Sequence, residues 1–127
     1  MKSRLCTLMI AALASSAACS STTAPAGGDG VTAVYVNERV AVTNRRDAPV
    51  FTFVIGRNAA AVTDWIPCVQ DALCPPIHPG TSQRINPLIS LGGETEVLVY
   101  WWQRTFGPEG GQADSIRNFV VKLPRPM

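Results

Sequence analysis

The sequence predicts an all-β fold: a single β-sandwich of about six or seven strands. Three observations carry that expectation. From Val31 onward several runs alternate apolar and polar residues with period two, as half-buried strands do. No window beyond Val31 carries an apolar stripe of helical period. Turn signals rich in Asn, Asp, Gly and Pro separate the runs at short intervals over about 95 residues. A small barrel is the alternative closure.

Val31–Val36 and Arg39–Thr43 are the first two alternating runs. Asn37-Glu38 lies between them without glycine, so a tight hairpin and one bulged strand both remain open. Asn44-Arg-Arg-Asp-Ala-Pro49 is a polar turn, and Val50–Ile55 follows with Phe51, Phe53 and Ile55 on one face. Ala59–Trp65 reads as a short strand or one helical turn. Gly80–Ile85 is a turn feeding a short strand, and Leu91-Gly-Gly93 is a turn. Thr105–Asp114, which holds three glycines and Pro108, reads as a long loop. Ile116–Leu123 is the last strand, with Phe119, Val121 and Leu123 facing in.

The central run is Glu96-Val-Leu-Val-Tyr-Trp-Trp-Gln-Arg104. One face carries Val97, Val99, Trp101 and Gln103, and the other Leu98, Tyr100 and Trp102. Only one face of a sandwich strand reaches the core. The even-numbered side chains are the bulkier, so they are expected to point inward and Trp101 outward. The outward face is either covered by Pro67–Pro79 or the 105–114 loop, or it is a sticky surface for a protein, peptide or glycan. The candidate binding face is Trp101, Trp65, Val99 and Gln103.

Length and charge bound the function. The 127 residues allow one domain. Lys2, Arg4, the apolar run Leu5–Leu13 and the small residues Ala14–Ala18 follow the order of a bacterial secretory signal peptide. The apolar run is too short to span a bilayer, which takes about 20 residues. Loss of residues 1–18 removes two of the 11 basic residues and leaves nine against nine acidic ones. A neutral chain with scattered arginines has no footprint for nucleic acid.

Small residues running into Cys19 resemble the lipoprotein signal, in which the cysteine becomes the acylated N-terminus. That resemblance implies lipidation of Cys19 and a membrane anchor, with the protein held in the bacterial cell envelope, at the outer membrane, in the periplasm or at the cell surface. Ordinary cleavage after Ala18 is the alternative and would leave Cys19 as an unpaired thiol. Residues 19–30 are the lipidated Cys19 and a flexible linker, Ser20–Gly30, with an r.m.s. span of roughly 18 Å, and residues 31–127 form the sandwich. The run Val42–Val50, His78-Pro-Gly-Thr81 and the Glu-Thr-Glu-Val-Leu-Val strand resemble the immunoglobulin-like sandwiches of exported bacterial proteins. The resemblance implies a domain that binds, spaces or inhibits.

Cys68 and Cys74 are separated by five residues in a Pro-rich stretch. In an exported chain this spacing predicts a local disulfide that stabilises by about 2 kcal/mol. A metal site on Cys68, Cys74, His78 and Asp71 or Asp64 is disfavoured, because paired zinc cysteines sit two to four residues apart. The single histidine, His78, has no nucleophile or acid at a suggestive spacing, and no carboxylate pair, phosphate loop or calcium loop is present. No cofactor, metal or enzymatic activity is expected. The leading expectation is a non-catalytic binding or structural module of the cell envelope. An inhibitor or accessory subunit docking on an exported enzyme through the disulfide loop is second. A small His-dependent hydrolase or metalloenzyme is third.

Overall fold

The computed structural model describes residues 25–107 and 110–125. The signal segment 1–18, Cys19 and the first part of the expected linker lie outside these residues. The described chain is an all-β sandwich. Its strands are β1 (Ala26–Gly28), β2 (Val31–Val36), β3 (Arg39–Asn44), β4 (Phe51–Gly56), β5 (Ser82–Ile85), β6 (Glu96–Trp102), β7 (Arg104–Gly107), β8 (Gly110–Ala113) and β9 (Arg117–Lys122). One helical turn, α1 (Arg57–Ala60), follows β4. The named strands pair antiparallel throughout, and an isolated parallel bridge joins Ile55 to Leu88. The orders are β1-β2-β3-β5 in the first sheet and β4-β6-β9 in the second, with β7-β8 as a separate ribbon.

The chain crosses between the sheets after β3, β4 and β5 and then stays with the second sheet. Thus the β1-β2-β3-β5 sheet packs against the β4-β6-β9 sheet, with the core between them. The alternating runs place Val31, Ala33 and Tyr35 of β2 and Val40 and Val42 of β3 on the inner face. Val54, Val97, Val99, Trp101 and Val121 answer from the second sheet, with Phe119 and Leu123 packed at the margin. β-branched side chains suit this pleated, half-buried surface.

Asn37 and Glu38 form a two-residue hairpin in which both backbones are left-handed, φ 52° and 64°. That turn matches the twist of its strands and resolves the open question in favour of the tight hairpin. Asn44 is the one buried amide at the first crossover. Its side chain donates to the carbonyls of Ala48 and Ile77, each at 2.9 Å, and accepts the Arg46 amide at 2.8 Å. A buried amide satisfied in this way fixes the path between the sheets.

Three sequence expectations are corrected. Ala26–Gly28, placed in the flexible linker, is an edge strand, because Asp29-Gly30 makes a left-handed two-residue turn that folds it back onto β2. The 105–114 stretch is the β7-β8 ribbon and not a loop. The inward parity of β6 is reversed: Val97, Val99 and Trp101 enter the sandwich core, and Trp101 is only 2 % exposed. Side-chain bulk misleads here, because the outer face of β6 is covered as well, with Leu98 and Tyr100 half-buried and Trp102 buried.

Candidate functional site

The outer face of the second sheet is aromatic. Phe51 and Phe53 of β4 stand beside Tyr100 and Trp102 of β6, since Phe51 pairs with Trp102 and Phe53 with Tyr100. In water such a face would be unstable as a surface, and the chain returns to cover it. After α1, residues 61–76 run across the sheet and insert Trp65. Its ring lies 4.6 Å from Phe53, 4.9 Å from Tyr100 and 5.6 Å from Trp102 between centroids. Tilted and edge-on pairs of this kind contribute about 0.5–1.5 kcal/mol each beyond the area they bury. This second core is why Trp102, on the opposite face from Trp101, is equally buried.

Polar contacts tie the covering loop to the sheet. Trp102 Nε1 donates to the Cys68 carbonyl at 2.9 Å. Arg104 Nη1 donates to the Val69 carbonyl at 2.8 Å and to Asp71 Oδ1 at 2.6 Å, while its guanidinium lies 5.4 Å from the Phe51 ring. Gly111 of β8 allows this course, because a Cβ there would stand 2.7 Å from the Arg104 side chain. Cys68 and Cys74 are joined by a disulfide, as the spacing predicts. Within the bridge, the Gln70 carbonyl accepts the amides of Leu73 and Cys74.

Two large apolar side chains remain outside. Ile66 is 86 % exposed and Leu73 75 % exposed. With Pro67, Cys68, Val69 and Gln70 they line an open groove of about 320 Å³. Of the four candidate face residues, Val99 and Trp101 are in the core and present no surface. Gln103 is half-buried and accepts Arg46 Nε at 3.0 Å. Arg46 and Arg117 hold their guanidinium groups 5.1 and 4.9 Å from the Trp101 ring, so this end of β6 is capped by cations. Trp65 is half-buried against Phe53, Tyr100 and Trp102 and does not line the groove. Ile66 and Leu73, absent from the sequence-based face, are the exposed residues, and the available signal was their apolar character in and just before a Cys-closed loop.

Two further candidates for chemistry have structural surroundings. His78 is exposed in a turn whose carbonyl accepts the Thr81 amide and hydroxyl. Glu94 is 1 % exposed, and among the described residues it is the only buried carboxylate. Its oxygens accept the amides of Asn58 (2.8 Å), Ala59 (3.0 Å) and Ser90 (2.9 Å). Burial acts to raise its pKa, but these three amides and the Ser90 hydroxyl outweigh it and hold the carboxyl below its ordinary value. Glu94 thus stays ionised and caps α1, and Gly56 makes room for it, since a Cβ there would overlap the carboxyl group. Among the described residues no three His, Cys, Asp or Glu side chains group as metal ligands. Comparison with protein-family models, with curated proteins and with solved structures found no match for this chain.

Proposed function

We propose that the chain is a cell-envelope lipoprotein whose sandwich is a non-catalytic docking module, and that it presents the 66–73 loop to an exported protein. The carrying observation is the exposure of Ile66 and Leu73 on a loop that is otherwise fixed. The disulfide, the Trp102 and Arg104 hydrogen bonds and the Trp65 anchor hold the loop in one shape. A preorganised loop loses little conformational freedom on binding, which favours affinity from a small contact. Apolar tips beside polar Gln70 and Asp71 suit a hydrophobic cleft with a polar rim on the partner.

The N-terminal signal and Cys19 support export and anchoring, and the near-neutral charge favours a protein partner over nucleic acid. The test is photo-crosslinking in intact envelopes with the reactive group at position 66 or 73, and at the exposed position 84 of β5 as control. One dominant adduct from 66 and 73 but not from 84 is expected. Identical adduct patterns from all three positions would sink the proposal.

A further inference from the structure

The opposite end of the sandwich carries a second set of exposed apolar side chains. The Asn44–Val50 crossover joins the end of β3 to the start of β4, so Trp102 of β6, paired with Phe51, shares that end. The Asn37–Glu38 hairpin, Gly56, α1 and Glu94 therefore lie together at the other end. There Leu88 runs beside β4, exchanging backbone hydrogen bonds with Val54 and Gly56, and leads through Ile89 to the Ser90–Gly93 turn. Val62 follows α1, its amide bonded to the Ala59 carbonyl. All four apolar side chains are exposed: Val62 at 84 %, Leu91 fully, and Leu88 and Ile89 by more than 40 %. The Glu94 cap holds this end rigid by bonding Ser90 on one side and Asn58 and Ala59 on the other.

The chain enters the domain from the same end. Ala26 pairs with Ala33 and Gly28 with Val31, so β1 begins on the side of Tyr35 and the hairpin and runs away from them. Seven residue steps separate Cys19 from Ala26. Fully extended they reach at most about 25 Å. Beyond Ala33, β2 extends about 10 Å further toward the hairpin. A lipid on Cys19 would hold this end within about 15 Å of the bilayer surface.

We propose that this end rests on the membrane, with Val62, Leu88, Ile89 and Leu91 in the headgroup layer. The proposal depends on the anchoring reading given above. It leaves the 66–73 groove, by the far ends of β4 and β6, facing away from the lipid. Apolar side chains held at an interface by an acyl anchor gain burial that neither element achieves alone.

The test uses the full chain, exported, recovered from membranes and reconstituted in phosphatidylethanolamine–phosphatidylglycerol vesicles. An environment-sensitive fluorophore is attached through Leu91→Cys or, as control, Leu73→Cys, and nitroxide-headgroup lipid is the quencher. The mass of the N-terminal peptide reports acylation independently. An acylated chain quenched at least threefold more at 91 than at 73 is expected, with the difference lost in Val62→Ser/Ile89→Ser. Equal quenching of an acylated chain overturns this proposal and leaves the anchor intact. A position 91 shielded from water but not quenched marks a protein contact and also overturns it. A soluble, unacylated chain overturns the anchoring reading and this one together.

Discussion

Trp102 Nε1 donates to the Cys68 carbonyl at 2.9 Å, so the central strand of the second sheet grips the disulfide loop at its bridging residue. The contact joins the central strand of the second sheet to the loop that exposes Ile66 and Leu73. Loop and sheet therefore report on one another when either is altered.

Trp101 and Trp102 should be equally costly to truncate. Each is 2 % exposed, one in the sandwich core and the other under Trp65. Trp101→Ala and Trp102→Ala are each expected to lose about 3–5 kcal/mol. Urea denaturation checks this, and a near-neutral result for either would place that face in solvent.

Reduction should uncouple the loop from the sandwich. Opening the Cys68–Cys74 bridge is expected to cost about 2 kcal/mol through the freedom returned to the unfolded chain. Cys68→Ser/Cys74→Ser should retain the strand signal in far-ultraviolet circular dichroism, while its tryptophan emission shifts red as Trp65 and Trp102 gain water.

These outcomes mark how far the fold could be read from sequence. β2 and β3 were legible because each buries one face and their alternation records it, and β9 was legible from the apolar run Phe119–Val121. β6 was legible as a strand but not in its orientation: it is apolar on both faces, so its pattern holds no parity. Ala26-Gly-Gly28 and the glycine-rich β7-β8 ribbon carry almost no strand preference and pair through turn geometry and tertiary position. The Asp29-Gly30 dipeptide was the readable clue to the first. The candidate surface was half legible. The bridge follows from cysteine spacing, whereas the meeting of Trp65 with Phe53 and Tyr100 joins segments far apart in the chain.

Glu94 should make stability fall in acid. Its folded pKa lies below its unfolded value, near 4.5, so its contribution is present above that pH and is lost as pH falls through the folded pKa. Glu94→Gln is expected to lose about 2 kcal/mol at neutral pH, where an amide cannot accept three N–H bonds as a carboxylate does. It should also show a flatter pH dependence below about pH 4.5. Thermal melts between pH 3 and 7 check both.

Gly56→Ala should be harmful despite an ordinary backbone. The residue has φ −62° and ψ 150°, which alanine adopts freely, yet the added methyl would occupy the space of the Glu94 carboxyl. A loss of about 1–3 kcal/mol is expected from the overpacking. Pairing it with Glu94→Ala should recover part of that loss, which a double-mutant cycle measures.

The two cores differ in their ownership. The inner one is shared by both sheets, so its residues must change in concert. The outer one is shared between one sheet face and a single stretch, 61–76, which enters after α1 and leaves at the Val50–Ile77 bridge. Such a stretch is a cassette. Any replacement that brings an aromatic ring over Phe53 and Tyr100, and offers carbonyls to Trp102 and Arg104, would seat on the same scaffold, and the tip between them is free to vary in length and chemistry.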